Sequence, residues 1–430
     1  MRKKMLRLGA LTMLLGSSLH GQDIVGDWQG TLKAGSQELR VVLQISKGDG
    51  GGWKATIYSI DQTADAIPVN TVTLERSTLK LIVDELRGAY EGKLSADRAS
   101  ISGTWTQGAP LPFELRRATK ETAWQLDPTS HIVQYITVDN NVKLEVLDWG
   151  GSGRPLVLLT GLGDSAHVYD KFAPKLTSAY HVYGITRRGF GSSSAPATGY
   201  SADRLGDDVL AVLNSLKLNR PVLMGHSIGG EELSSVGSRH PEKVAGLIYL
   251  DAAYSYAYYD RSRGDLNLDL IEFQKKLEQL QPGKGPVDQR PLIQQLLETS
   301  IPRFEKELRE TQKNLQAMPP AMLAAQESVH MSAASQAIIA GQQKYTSILG
   351  PILAIYAVPH DLGSEIGNDA AARATFEAYD EARTGAQAKV FENGIPSARV
   401  VRLPRANHYV FLSNEADVLR EMNAFLASLP

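Results

Sequence analysis

Ser227 is the residue of this chain best placed to act as a nucleophile. It lies in Gly225-His226-Ser227-Ile228-Gly229, after the strand-like run Pro221-Val222-Leu223-Met224 and before Glu231 to Val236, which can continue as a helix. A serine on a sharp strand-to-helix turn holds its hydroxyl exposed, as nucleophilic attack requires. The helix that begins just beyond points its free N–H groups toward the reacting centre. A serine hydroxyl is a poor nucleophile at neutral pH, so it needs a base within hydrogen-bond reach and an acid that orients the base. The chain has nine histidines. After Ser227 come His240 at a polar helix end, His330 in a helical stretch, and then His360 and His408.

These residues have to be positioned by a scaffold, and the surrounding apolar runs describe one. Leu156-Val157-Leu158-Leu159-Thr160 ends in Gly161-Leu162-Gly163-Asp164, a buried strand followed by a glycine turn. His181 to Ile185 leads into Arg187-Arg188-Gly189-Phe190-Gly191, and Val244 to Leu250 leads into Asp251-Ala252. Strand-length apolar runs alternating with helical stretches indicate a parallel α/β sheet.

Together these segments resemble the α/β-hydrolase superfamily over about residues 131–430. The resemblance rests on the Gly161-Leu162-Gly163 turn, Arg188-Gly189-Phe190-Gly191, the elbow around Ser227, Leu250-Asp251-Ala252, and Ala406-Asn407-His408 before a helix. Thr160 stands where the family often has histidine, and Thr186 and Arg187 stand where it often has aspartate. The resemblance implies a mostly parallel sheet with a helical cap, and the chain order serine, acid, histidine. It assigns the base to His408, in the loop after the last strand, Ala398 to Leu403. The acid is assigned to Asp361, four residues past the strand Pro351 to Ala357. Asp251 is the main rival for that role, with Glu365 and Asp369 behind it. The backbone N–H groups of Leu162 and Ile228 are the expected oxyanion donors. His226 reads as structural. Glu231 fits either a helix N-terminus or a partly buried position. Ser227 at the nucleophile position disfavours the relatives that use aspartate there.

At 430 residues the chain exceeds one ordinary domain. Its net charge of −2 gives no reason to expect nucleic acid or an anionic membrane as partner. The absence of cysteine excludes disulfides and thiolate catalysis. No metal-ligand spacing and no dinucleotide fingerprint stands out, so neither metal nor cofactor is expected. Met1-Arg2-Lys3-Lys4, followed by an apolar stretch to Leu19 and small residues, reads as a signal peptide over 1–21. That implies an exported protein, periplasmic or extracellular.

Residues 23–118 have a different character. Leu39, Val41, Leu43 and Ile45 alternate with polar residues, and glycine-framed aromatics recur around Trp28, Tyr90 and Trp105. This predicts a small antiparallel β-barrel or sandwich with those aromatics in its core. A polar linker follows at 119–130. At about 254–347 a helical stripe of Leu266, Leu270, Phe273, Leu277 and Leu280, broken by Pro282-Gly283 and Pro319-Pro320, forms the cap. Tyr254, Tyr256, Tyr258 and Tyr259 line either a pocket wall or the packing of that cap. The function that fits is a serine hydrolase cleaving a small-molecule carboxylic ester through an acyl-serine. Amide or carbon–carbon substrates are alternatives on the same machinery, and a binding protein with an inactive hydrolase scaffold is the alternative from another class.

Overall fold

The structure, a computed structural model, describes residues 24–34, 37–48, 51–60, 66–84, 86–107, 109–126, 131–318, 331–361 and 370–430. The expected signal peptide, and Glu365, Asp369 and His330, lie outside these residues.

The N-terminal part is a single antiparallel sheet of nine strands among the described residues. They are β1 (Gly26–Ala34), β2 (Gln37–Lys47), β3 (Trp53–Ser59), β4 (Ile67–Val69), β5 (Thr71–Glu75), β6 (Thr78–Val83), β7 (Gly88–Leu94), β8 (Ser100–Gln107) and β9 (Ala109–Arg117). The order is β4-β3-β2-β1-β9-β8-β7-β6-β5, and β3 and β4 come back against β5 and β6, so the sheet nearly closes into a barrel. Side chains alternate inward and outward along β7, with Tyr90 buried between exposed Ala89 and Glu91. The glycines framing Tyr90 have a steric reason. A Cβ on Gly88 would meet the Trp105 ring at 2.3 Å, and one on Gly92 would meet the Tyr90 hydroxyl at 2.4 Å. Trp28, Tyr90 and Trp105 all belong to the barrel interior, as the alternation predicts.

The second sheet has eight strands: β10 (Ile132–Asp139), β11 (Val142–Gly150), β12 (Pro155–Leu159), β13 (His181–Ile185), β14 (Val222–His226), β15 (Gly246–Leu250), β16 (Ile352–Ala357) and β17 (Ala398–Leu403). Their order is β10-β11-β13-β12-β14-β15-β16-β17. β10, β11 and β13 pair antiparallel, and every pairing from β13 to β17 is parallel. Strands β14, β15 and β16 are buried at every position, because helices cover both faces. Two apolar clusters result, one on each face: Val157, Leu223 and Tyr249 belong to one, Leu158, Met224 and Ile248 to the other.

Helices α1 (Ala202–Ser215) and α2 (Gly229–Arg239) flank β14 in sequence. Between β15 and β16 lie α3 (Leu266–Gln279), α4 (Arg290–Gln295), α5 (Ile301–Ala317) and α6 (Ala333–Ala340). The expected stripe packs as a helix pair, with Phe273 of α3 stacked on Phe304 of α5 at 5.4 Å. Helix α7 (Ala370–Gly394) precedes β17, and α8 (Val410–Ser413) and α9 (Glu415–Ser428) follow it.

Candidate active site

The C-terminal ends of β12, β14, β15, β16 and β17 converge on Ser227. Its φ of 50° is the left-handed conformation of a nucleophile elbow. Helix α2 starts two residues later, and its first turn packs directly on neighbouring backbone. A Cβ on Gly230 would lie 2.0 Å from the Ala252 carbonyl oxygen, so only glycine fits there. The same crowding brings Gly229 against the carbonyls of Leu159 and Thr160, which sets Ile228 beside the Gly161-Leu162-Gly163 turn. The two expected oxyanion donors, Leu162 and Ile228, therefore sit on adjacent loops, and both side chains belong to one small apolar cluster.

His408 lies in the loop between β17 and α8. The carboxylate bound to it is that of Asp251, whose Oδ2 is 2.6 Å from His408 Nδ1. Asp361 does not occupy this position, and the expectation that it would is corrected here. A parallel bridge joins His360 to Ala406, and alternation along extended chain turns His360 inward and Asp361 outward. The half-exposed Asp361 carboxylate faces Arg373 at 3.7 Å. Its backbone N–H bonds the Ala406 carbonyl at 2.8 Å, so Asp361 braces the histidine loop without reaching its imidazole.

Asp251 is fully buried at the end of β15 with φ 45°. Oδ1 accepts from the Ala357 N–H at 3.0 Å and from the Tyr254 hydroxyl at 2.8 Å. Oδ2 accepts from His408 and from His360 Nε2 at 2.7 Å. Burial alone would raise its pKa, but the hydrogen bonds from His360 and His408 outweigh burial and hold the carboxyl far below the usual range. The residue is thus a carboxylate at neutral pH.

His360, to which the sequence assigns no role, lies between two carboxylates. Its Nδ1 faces Asp380 Oδ2 at 2.8 Å while Nε2 faces Asp251. Both ring nitrogens meet carboxylates, so both carry protons. Burial opposes that charge, yet Asp251 and Asp380 raise its pKa to about 10. The signal available in sequence was the residue next to Asp361, one step out of register. Tyr256 packs beside the elbow, against the apolar cluster that holds Ile228. Of the four tyrosines, Tyr254 bonds Asp251 and Tyr256 packs beside the elbow, whereas Tyr258 packs on Phe391 and Tyr259 bonds Asp269.

His226 is neutral and structural. Burial and the neighbouring His408 push its pKa down to about 3, and Nε2 bonds the His408 carbonyl at 3.1 Å. Glu231 is fully buried with no partner for either carboxylate oxygen among the described residues. Burial raises it well above the ordinary range and keeps it protonated. Arg187, at one of the positions departing from the family pattern, is a buried clamp. It donates to Glu232 at 2.5 and 3.1 Å, to the Thr160 carbonyl at 2.7 Å and to the Gly161 carbonyl at 3.0 Å. The turn at Thr160 and Gly161 and helix α2 are tied together through this one guanidinium.

Two groups of donor atoms lie close enough to consider a metal: Asp251 with His360 and His408, and His131 with His167 and Asp170. In the first, both imidazoles face one oxygen of the buried Asp251 carboxylate. In the second, His167 lies between Asp170 at 3.0 Å and Glu145 at 3.7 Å, again with a carboxylate on each ring nitrogen.

The pattern described as an alpha/beta hydrolase fold matches residues 154–415. Similar proteins include a 2-(acetamidomethylene)succinate hydrolase of Mesorhizobium japonicum, 26% identical over 24% of this chain and 36% of its own length. A fluoroacetate dehalogenase of a Burkholderia species is 32% identical over 26% of this chain and 38% of its own. A non-heme chloroperoxidase of Streptomyces lividans is 33% identical over 27% and 44% respectively. The chain thus spans less than half the length of each of these relatives. Among solved structures, that of E-2-(acetamidomethylene)succinate hydrolase aligns with 70% of the chain at TM-score 0.43 and 19% identity.

Proposed function

The chain belongs to the α/β-hydrolase family, and from that premise we propose that it is a serine hydrolase cleaving carboxylic esters with a Ser227–His408–Asp251 triad. The observation that carries the reading is the 2.6 Å contact between His408 Nδ1 and the buried Asp251 carboxylate, in the loop facing the elbow. With Nδ1–H given to Asp251, the Nε2 lone pair is left to take the Ser227 proton. Oγ then bonds the ester carbonyl carbon, and the oxyanion is received by the N–H groups of Leu162 and Ile228. The C–O bond to the alcohol breaks as His408 returns the proton to the leaving oxygen. Water, deprotonated by His408, attacks the acyl-serine; collapse of that second tetrahedral adduct releases the acid as His408 returns the proton to Ser227 Oγ. One preorganised oxyanion donor of this kind is worth about 3 kcal/mol of transition-state stabilisation.

The basic and apolar N-terminus supports export as part of the same reading. Fluorophosphonate labelling together with p-nitrophenyl ester turnover tests the chemistry. Both are expected in the wild type and absent in Ser227→Ala. Labelling that persists in the variant would move the nucleophile elsewhere.

A further inference from the structure

A cavity of about 880 Å³ runs from the interior of the N-terminal barrel to the turn bearing Leu162 and Gly163. It lies toward the upper end of the roughly 300–1,000 Å³ span of small-molecule sites. On the barrel side the wall is made by Leu43, Ile57, Leu81, Tyr90, Trp105 and Leu115, all buried. The two aromatic side chains among these turn their polar atoms elsewhere. The Tyr90 hydroxyl reaches the carbonyls of Ile101 at 3.0 Å and Phe113 at 3.2 Å, and the Trp105 indole N–H bonds Gln107 at 3.2 Å. What the barrel presents to the cavity is therefore mostly hydrocarbon. Its long polar side chains, Arg87 and Gln107, are exposed.

The position of this chamber matters as much as its chemistry. Its far wall includes Leu162, whose N–H is assigned above to the oxyanion, and Phe190 of the neighbouring loop. A carbonyl oxygen held at that N–H leaves the substituent on the carbonyl carbon beside the opening into the barrel. We propose that the barrel chamber receives the aliphatic acyl chain of a long-chain ester, so that the N-terminal sheet is the specificity element of the enzyme. This rests on the serine-hydrolase reading for its chemistry, but the chamber itself is independent of it. The acyl chain remains in the barrel through both half-reactions, because the acyl carbon is bonded first to the alcohol oxygen and then to Ser227.

The test uses the full-length protein with p-nitrophenyl acetate, butyrate, octanoate and laurate. The expected result is a rise in kcat/KM with chain length, about fourfold for each methylene fully buried. Leu81→Trp, which puts a larger side chain into the chamber, is expected to lower the laurate-to-acetate ratio of kcat/KM at least tenfold, with folding checked by circular dichroism. Separately, full-length Ser227→Ala is expected to bind the fluorescent fatty acid cis-parinaric acid and to release it to laurate. A flat chain-length profile with no parinarate binding overturns the proposal, as does an unchanged ratio in folded Leu81→Trp. Should that variant not fold, the wild-type profile and the parinarate titration carry the decision. Parinarate binding with no hydrolysis of any ester would keep the chamber as a lipid-chain site and remove the serine-hydrolase reading instead.

Discussion

Asp251 Oδ2 receives two imidazoles at once, His408 at 2.6 Å and His360 at 2.7 Å. A single buried oxygen thus orients the candidate base and simultaneously neutralises part of its own charge against a second histidine. His360 in turn rests on Asp380, so the line runs Asp380, His360, Asp251, His408, with the fully buried Asp251 in its middle. Asp251 is held by His360 on one side and meets His408 on the other.

Asp251→Asn should lower kcat by about 10⁴, because an amide in that place favours the wrong imidazole tautomer. Asp361→Asn should leave kcat within a few-fold of wild type, since its carboxylate faces Arg373 and not His408. Steady-state ester hydrolysis by the two variants decides between them. A larger loss in Asp361→Asn would return the acid to the position expected from sequence.

His360→Gln removes a partly buried cation from the far side of Asp251 without touching substrate, so its effect is one of positioning. The full charge of Asp251 would then act on His408 alone. The acid limb of the kcat/KM profile should move to higher pH, and kcat should fall tenfold or more as Asp251 loses an anchor. A uniform loss of activity with an unmoved profile would reduce His360 to a packing residue. Asp380→Asn should shift the profile in the same direction by less.

Arg187 and Glu232 form a buried ion pair that also holds the Thr160 and Gly161 carbonyls. Breaking a buried pair by removing one partner costs about 3–5 kcal/mol, since the other charge is left uncompensated. Glu232→Gln should therefore melt well below wild type in a circular-dichroism scan. Arg187→Lys keeps the charge but loses the fork that spans three acceptors, so it should lower kcat more than it lowers stability. Equal stability in Glu232→Gln and wild type would show that the clamp does not hold the fold.

Much of this was legible in the sequence, for reasons that differ by residue. Ser227 announces itself because the elbow demands small residues on both sides of it, and those demands are local. The barrel strands are visible through period-two alternation, and its glycine-framed aromatics through the close approach of rings. The carboxylate that meets His408 is not legible. Asp251 and Asp361 both follow apolar strands in suitable loops, and what separates them is a one-residue matter of which side chain turns inward at the His360–Ala406 bridge. Spacing along the chain does not encode that turn. The contacts of Arg187 and Asp380 are equally hidden, because each acts on atoms twenty or more residues away in sequence.

Stability should fall as the medium turns alkaline. His360 and His167 each titrate near 10 in the folded protein, against an ordinary value of 6.5. Burial works against both charges, but Asp251 and Asp380 on His360, and Asp170 and Glu145 on His167, more than compensate. Between about pH 6.5 and 10 the folded chain therefore holds protons that the unfolded chain has released. Where the native state binds more protons, unfolding free energy declines as pH rises. The stabilisation is complete below about 6.5 and is lost on passing through about 10. Asp164, raised by burial to about 6 from 3.8, works in a lower window and does not confuse the reading. The melting temperature should drop steadily from about pH 7 to pH 10, and the drop should be smaller in a His167→Gln, His360→Gln double variant. A melting temperature constant over that range would mean that these imidazoles are neutral in the native protein, and that the carboxylates around them are satisfied in another way.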